Sequence, residues 1–317
     1  MQEAIERRWQ RTGGVLLRAA TGTRMQLVIC MGAAARPLWI AKTAANETGR
    51  NILAREYQAL RELEPWAGRL GIPRCYDWKP GPPACLIMEG LAGRPGHGMA
   101  RREKEICLNR ALDWLRKFQA MVPARNLSAR EYWNRCWVRS CLDPDPAGTA
   151  HGILSWLGRQ NPREWALTAS HGDFWLGNLL LEADAIKVFD WGCYDTRGPL
   201  DDVYTLLLHA IAPMPNGHCD LESFRGCFWE SRNMARKCSE IYHAWKITAA
   251  QARWEFYMFL ARRIRWETGR EGQFRSPAFR LNARQRWAAI RQWLRECGYP
   301  YPPGAATPGN KPKVAYD

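Results

Sequence analysis

Between His171 and Gly192 the chain carries an imidazole, two carboxylates and a carboxamide at spacings that suit phosphoryl chemistry. The segment reads His171-Gly172-Asp173-Phe174-Trp175-Leu176-Gly177-Asn178, followed by Leu179-Leu180-Leu181, Glu182-Ala183-Asp184 and Ala185-Ile186-Lys187-Val188-Phe189-Asp190-Trp191-Gly192. Pairing the two apolar runs as a hairpin centred near residues 183 and 184 sets Asn178 opposite Phe189 and next to Asp190. One amide oxygen and one carboxylate then stand at the same end of a rigid ribbon. Mg²⁺ favours such hard oxygens, taking one or two carboxylates together with phosphate oxygens and waters. Asp173 lies on the loop entering the ribbon, where it can approach a metal-bound phosphate and accept a hydroxyl proton without being a ligand. Alone, each of these residues is more often a turn residue, a strand cap or a surface acid. Together, at this spacing, they argue for a site.

A second pair stands upstream. Lys42 ends the apolar run Leu38-Trp39-Ile40-Ala41, and Ile52, Leu53, Tyr57, Leu60 and Leu63 mark the buried stripe of the helix that follows. Glu56 falls within that stripe. A carboxylate facing inward needs a cationic partner, and Lys42 is the natural one.

Asp-x-x-x-x-Asn followed by Asp-[hydrophobic]-Gly resembles the catalytic set of kinases. The form His-Gly-Asp-x-x-x-x-Asn with Phe-Asp-Trp-Gly is more similar to the aminoglycoside phosphotransferase and choline kinase superfamily, and the resemblance covers about residues 15 to 210. It implies an α+β, two-lobed protein-kinase-like fold, with a small antiparallel-sheet N-lobe and a larger, mainly helical C-lobe. ATP, or GTP, binds with Mg²⁺ between the lobes of such proteins. The resemblance makes Asp173 the catalytic base, with His171 beside it ordering the loop, Asn178 and Asp190 metal ligands, and Lys42, paired with Glu56, a phosphate contact. It also assigns Thr21, Gly22 and Thr23 to a phosphate-covering loop, Met88, Glu89, Gly90 and Leu91 to the adenine hinge, and Asp202 to support of the catalytic loop. Asp201 is the alternative for that last role. Gly172 replaces the arginine that pairs with a phosphorylated activation loop in many protein kinases. The segment between Asp190 and Asp202 is also too short for a peptide-docking platform, so the acceptor is a small molecule or a glycan.

These residues need positioning elements. Val15 to Leu17, Met25 to Cys30 and Leu38 to Thr43 read as three antiparallel strands, and a helix is expected from about Asn46 to Glu64. Strands at Cys75 to Trp78 and Cys85 to Glu89 flank the turn Lys79-Pro-Gly-Pro-Pro. Beyond Leu91 the periodicity becomes helical, with helices expected at 105–121, 201–212, 224–248, 250–270 and 283–297. The expected division is an N-lobe over residues 1–91, a C-lobe over 92–300 and a loose, proline-rich tail over 301–317.

At 317 residues, with 46% hydrophobic and 24% charged, the composition fits two folded lobes and excludes a small stapled scaffold or a disordered chain. The N-terminal sequence lacks an apolar leader, and no run reaches membrane-spanning length, which points to the cytoplasm, with contact at the inner face of a membrane as a further setting. Eleven scattered cysteines read as free, mostly buried thiols.

The net charge is +15, and residues 231–300 hold 15 Lys/Arg against 5 Asp/Glu. On the helix from Ala250, Arg262 and Arg265 read as an outward cationic face. Such a field favours a neutral or anionic saccharide or nucleoside, or a lipid-linked glycan, over a cationic acceptor, and nucleic acid fits less well. The rival reading is a non-catalytic kinase-like module that binds nucleotide and an anionic partner, nucleic acid or a membrane surface. Retention of Asp173, Asn178 and Asp190 weighs against it.

Overall fold

The computed structural model describes residues 2–21, 25–32, 36–96, 99–125, 127–142, 149–159, 165, 167–211, 221–268, 277–300, 302 and 304–305. The chain divides into two compact units, residues 1–124 with 168–196, and residues 125–167 with 197–317. The boundary expected at residue 91 falls inside the first.

The first unit opens with helix α1 (Gln2–Thr12) and strands β1 (Val15–Thr21), β2 (Met25–Met31) and β3 (Pro37–Ala44). Helices α2 (Glu47–Leu63) and α3 (Ala67–Leu70) follow, then β4 (Cys75–Lys79), β5 (Ala84–Glu89), β6 (Arg94–Pro95) and helix α4 (Arg101–Met121). The first five strands form one antiparallel sheet in the order β1-β2-β3-β5-β4.

Alternation along these strands gives the sheet two different faces. Val28, Cys30, Trp39, Ala41, Cys85 and Ile87 form a core with Ile5 of α1. The buried Trp39 indole donates to Thr12 Oγ1 at 2.9 Å, which fixes α1 to that face. The register places Leu17, Ile29, Ile40 and Met88, together with Leu27, Lys42 and Leu86, on the opposite face. Helix α2 starts where the Asn46 side chain accepts the Gly49 N–H at 2.8 Å, an N-cap that satisfies one orphan donor. Its buried stripe includes Leu53, Glu56, Leu60 and Leu63.

The rest of this unit comprises β7 (Thr168–Ser170), the hairpin β8 (Leu179–Glu182) and β9 (Ala185–Val188), and β10 (Asp195–Arg197), which ends at the division. The hairpin has the expected register, from Leu179 opposite Val188 to Glu182 opposite Ala185 around a two-residue turn. It is fastened to the loop after α3, where the Val188 N–H donates to the Gly71 carbonyl at 3.0 Å. An aromatic cluster secures the approach to it. Trp114 of α4 stacks on Phe118 at 5.1 Å and on Phe174 at 5.4 Å, and Phe118 meets Trp191 at 5.6 Å.

The second unit is helical: α5 (Ala129–Leu142), α6 (Thr149–Arg159), α7 (Asp201–Ile211), α8 (Leu221–Arg225), α9 (Arg232–Ala244), α10 (Ala249–Thr268) and α11 (Pro277–Glu296). Helix α10 is its centre, buried at Trp254 and Glu255, through Phe256–Ala261, and again at Ile264 and Arg265. The outward face expected for Arg262 and Arg265 is therefore not there. Arg262 donates from Nε to Asp201 Oδ1 at 3.0 Å and from Nη2 to Oδ2 at 2.7 Å, and Arg265 is buried. The reason is that α10 packs on several sides, so its charged residues must find partners inside.

The single helix expected over 224–248 is broken into α8, a π-helical turn at Gly226–Glu230, and α9. Ser231 restarts the helix as an N-cap, its Oγ accepting the Met234 N–H at 3.2 Å. At the start of the expected tail, Pro302 and Ala305 are buried. Among the described residues, Cys30, Cys85, Cys107 and Cys238 are buried free thiols, and no helix is long and apolar enough to cross a membrane.

Candidate active site

Lys42 is the hub. Its ammonium donates to both oxygens of Glu56, at 2.7 and 2.9 Å, and to Asp190 Oδ1 at 2.9 Å. Glu56 is fully buried and also accepts the backbone N–H of Trp191. Strand β3, helix α2 and the turn after β9 are thereby tied through one cation.

Each charge needs the others. Burial alone would lower the Lys42 pKa, but the carboxylates of Asp190 and Glu56 outweigh it and hold the ammonium charged above its ordinary range. Burial raises the Glu56 pKa, an effect that Lys42 opposes and the Asp190 charge reinforces. Lys42 holds Asp190 below the usual carboxylate range against the effect of burial. The Asp190 side chain remains 43% exposed, so its carboxylate can still meet a ligand.

The loop residues form a second knot. The Asn178 amide donates to the Asp173 carbonyl at 2.9 Å and to its Oδ2 at 3.1 Å, which orients the carboxylate and leaves the Asn178 oxygen as an acceptor. The Phe189 N–H donates to the Asn178 carbonyl at 3.2 Å, the cross-hairpin neighbour relation read from the sequence. Buried His171 accepts the Asp173 N–H at Nδ1, 3.3 Å away, so the proton of the neutral ring sits on Nε2 and donates to the Phe189 carbonyl at 3.0 Å. With both ring nitrogens used in this way, His171 is a positioning residue for the loop. Two backbone conformations sharpen the geometry. Gly172 has φ +83°, which glycine adopts without strain, whereas Asp190 holds φ +69° at the cost that a side chain imposes there.

The hinge residues are only partly available. The Glu89 N–H donates to the Arg74 carbonyl at 2.8 Å and the Gly90 N–H to the Leu38 carbonyl at 3.1 Å. Met88 is buried on β5, opposite Ile40. The Glu89 carbonyl and the Leu91 N–H take no part in these two bonds. Asp202 is fully buried in the first turn of α7. Asp201, the alternative, is held by Arg262 and by Arg197 at 3.1 Å. Gly22 and Thr23 lie outside the described residues, as does the side chain of Thr21, which ends β1.

Sequence reasoning missed the Lys42–Asp190 contact, which joins residues 148 positions apart. It also missed Val15 and Leu17, which stand 63% and 50% exposed on β1, on the sheet face that carries Lys42. Their exposure on a strand was the signal, and it is visible only once the two sheet faces are known.

Residues 39–218 match the phosphotransferase enzyme family, APH. The chain belongs to that family. Solved structures share the fold of this APH-family chain. A thermostable mutant of aminoglycoside phosphotransferase APH(4)-Ia, in ternary complex with ADP and hygromycin B, aligns with TM-score 0.62 at 14% identity, covering 90% of this chain and 97% of that one. Aminoglycoside phosphotransferase APH(3'')-Id from Streptomyces rimosus, in complex with ADP and streptomycin, aligns with TM-score 0.52 at 15% identity, covering 81% and 96%. No curated protein matches the chain. The APH-family chain thus has the kinase-like fold of these enzymes, an antiparallel-sheet N-terminal part followed by a mainly helical remainder.

Proposed function

We propose that this APH-family chain transfers the γ-phosphoryl group of ATP, or of GTP, to a hydroxyl of a small molecule or saccharide. The observation that carries the reading is the Lys42 ammonium held between Glu56 and Asp190 in the unit that also joins Asp173 to Asn178. Lys42 neutralises charge on the donor phosphates. Leu17 and Val15 cover the base, and the Glu89 carbonyl and Leu91 N–H read its edge. Thr21, Gly22 and Thr23 are assigned to the phosphates by family resemblance. Asp173 accepts the proton of the acceptor hydroxyl as its oxygen bonds to phosphorus and ADP departs. Support of the loop is assigned to Asp202 by family resemblance.

The donor set also suits a magnesium ion. Among the described residues no group of three His, Cys, Asp or Glu forms a complete metal cage. One exposed carboxylate, Asp190, and one free amide oxygen, on Asn178, are what Mg²⁺ uses when phosphates and waters complete its shell. Bound there, the ion would neutralise charge on the phosphate oxygens, and positioning supplies most of the rest.

The test is an ATP-consumption screen of the full chain against sugars, nucleosides and amino-alcohols, run beside Asp173→Asn. An acceptor that stimulates wild type and not the variant supports the reading. Nucleotide binding with no stimulated turnover in either protein would return the chain to the rival class of binding modules.

A further inference from the structure

Burial alternates along the catalytic loop. Phe174, Leu176 and Asn178 are buried, whereas Asp173, Trp175 and Gly177 are part-exposed. Phe174 stacks on Trp114, and Trp175, extended at φ −137° and ψ 165°, is part-exposed two residues from the part-exposed Asp173. The Trp175 indole lies against Gly177: a Cβ on residue 177 would overlap ring atoms Cη2, Cζ2 and Cζ3. Glycine at 177 is what lets the ring lie there. An indole is large and apolar, and leaving one part-exposed two residues from the base forgoes burial that a core position would supply.

We propose that Trp175 is a stacking wall of the acceptor site, and that the acceptor lays a saccharide ring without cationic groups against it. The proposal rests on the phosphotransfer reading above for the role of Asp173. A sugar ring has an apolar C–H face and hydroxyls at its rim. Resting that face on the indole directs a rim hydroxyl sideways toward the neighbouring Asp173 carboxylate, the arrangement that proton acceptance needs. An indole face also attracts cations. The net charge of +15 works against them at long range and leaves neutral or anionic sugars favoured.

The experiment is saturation-transfer NMR on the full chain with Mg²⁺ and AMP-PNP, using glucose, N-acetylglucosamine and glucuronate as probes and choline and streptomycin as cationic controls. At least one sugar should receive saturation on the C–H protons of one ring face. Trp175→Ala should weaken that binding at least about tenfold, a loss of about 1.4 kcal/mol, whereas Trp175→Phe keeps most of it. Gly177→Ala should weaken binding with the indole present and add nothing in the Trp175→Ala background, a coupling that general loss of structure does not produce. An unshifted melting transition establishes that each variant folds. No sugar binding, sugar binding indifferent to Trp175, or Trp175-dependent binding of the cationic controls alone would each overturn the proposal. The readout requires no turnover. Trp175-dependent sugar binding without ATP consumption would leave the wall standing and sink phosphotransfer, and turnover indifferent to Trp175 would do the reverse.

Discussion

Lys42 serves three parts of the first unit through one nitrogen, and this governs what its removal does. Losing Lys42 leaves the Glu56 charge buried without its cation and releases Asp190 from its partner, and losing Glu56 leaves the buried ammonium with one carboxylate in place of two. Alanine at either position should therefore reduce kcat/KM strongly, and the double variant should be hardly worse than the poorer single one. Additive losses in a double-mutant cycle would show that Glu56 acts through something else. Asp173 is a different case, because its neighbours hold it by hydrogen bonds that an amide can largely reproduce. Asp173→Asn should preserve the fold and nucleotide affinity while slowing transfer by roughly 10²- to 10⁴-fold, the worth of a positioned proton acceptor. Calorimetric titration with AMP-PNP, set beside the acceptor-dependent rate, checks both halves.

Among the elements, α10 bears most on the segment that follows the candidate metal ligand. Its Glu255 is buried and accepts the Leu200 N–H at 2.7 Å, just before α7, and the Gln251 amide at 2.8 Å. Burial pushes its carboxyl up to about 8, against the effect of those hydrogen bonds. A folded pKa above the unfolded one means that the folded state binds the extra proton between the two values. Stability from this group is thus fully present below the ordinary carboxylate range and is lost as pH rises through about 8. Wild type should melt progressively lower between about pH 5 and 8, with a total change on the order of a few kcal/mol. Glu255→Gln should flatten that slope in melting curves taken across the range. An equal slope in the variant would assign the effect to other groups.

For the whole molecule, the C-terminal surplus of arginine is partly turned inward. Arg262 holds Asp201, Arg263 holds Glu267 at 2.6 Å, and Arg286 stands 3.7 Å from Glu267. Arg262 and Arg265 therefore offer no outward cationic face to an anionic or lipid-linked acceptor, and only the overall charge of +15 remains. Arg262→Ala should destabilise the second unit by about 3 kcal/mol, the low end of what breaking a buried pair costs, because Asp201 loses its bidentate partner. Denaturant titration measures this. A variant of unchanged stability with weakened acceptor binding would restore the outward reading.

What the sequence determined by itself was local in origin. The spacing from His171 to Asp190 set the hairpin register, since a two-residue turn between apolar runs allows few pairings. The stripe of α2 identified Glu56 as inward and Lys42 as its partner, because a lone buried carboxylate is too costly to leave unpaired. Helices with little apolar patterning were not legible. Helix α1 offers only Ile5 and Trp9 as a narrow stripe, and it owes its place to a sheet face that the strands create together. Tertiary structure alone decided the contact of Lys42 with Asp190, the pairing of Arg262 with Asp201 and the exposure of Val15 and Leu17. Each depends on which side of an element meets another far along the chain. Periodicity within one element fixes a side relative to its own axis, and only packing determines what stands opposite.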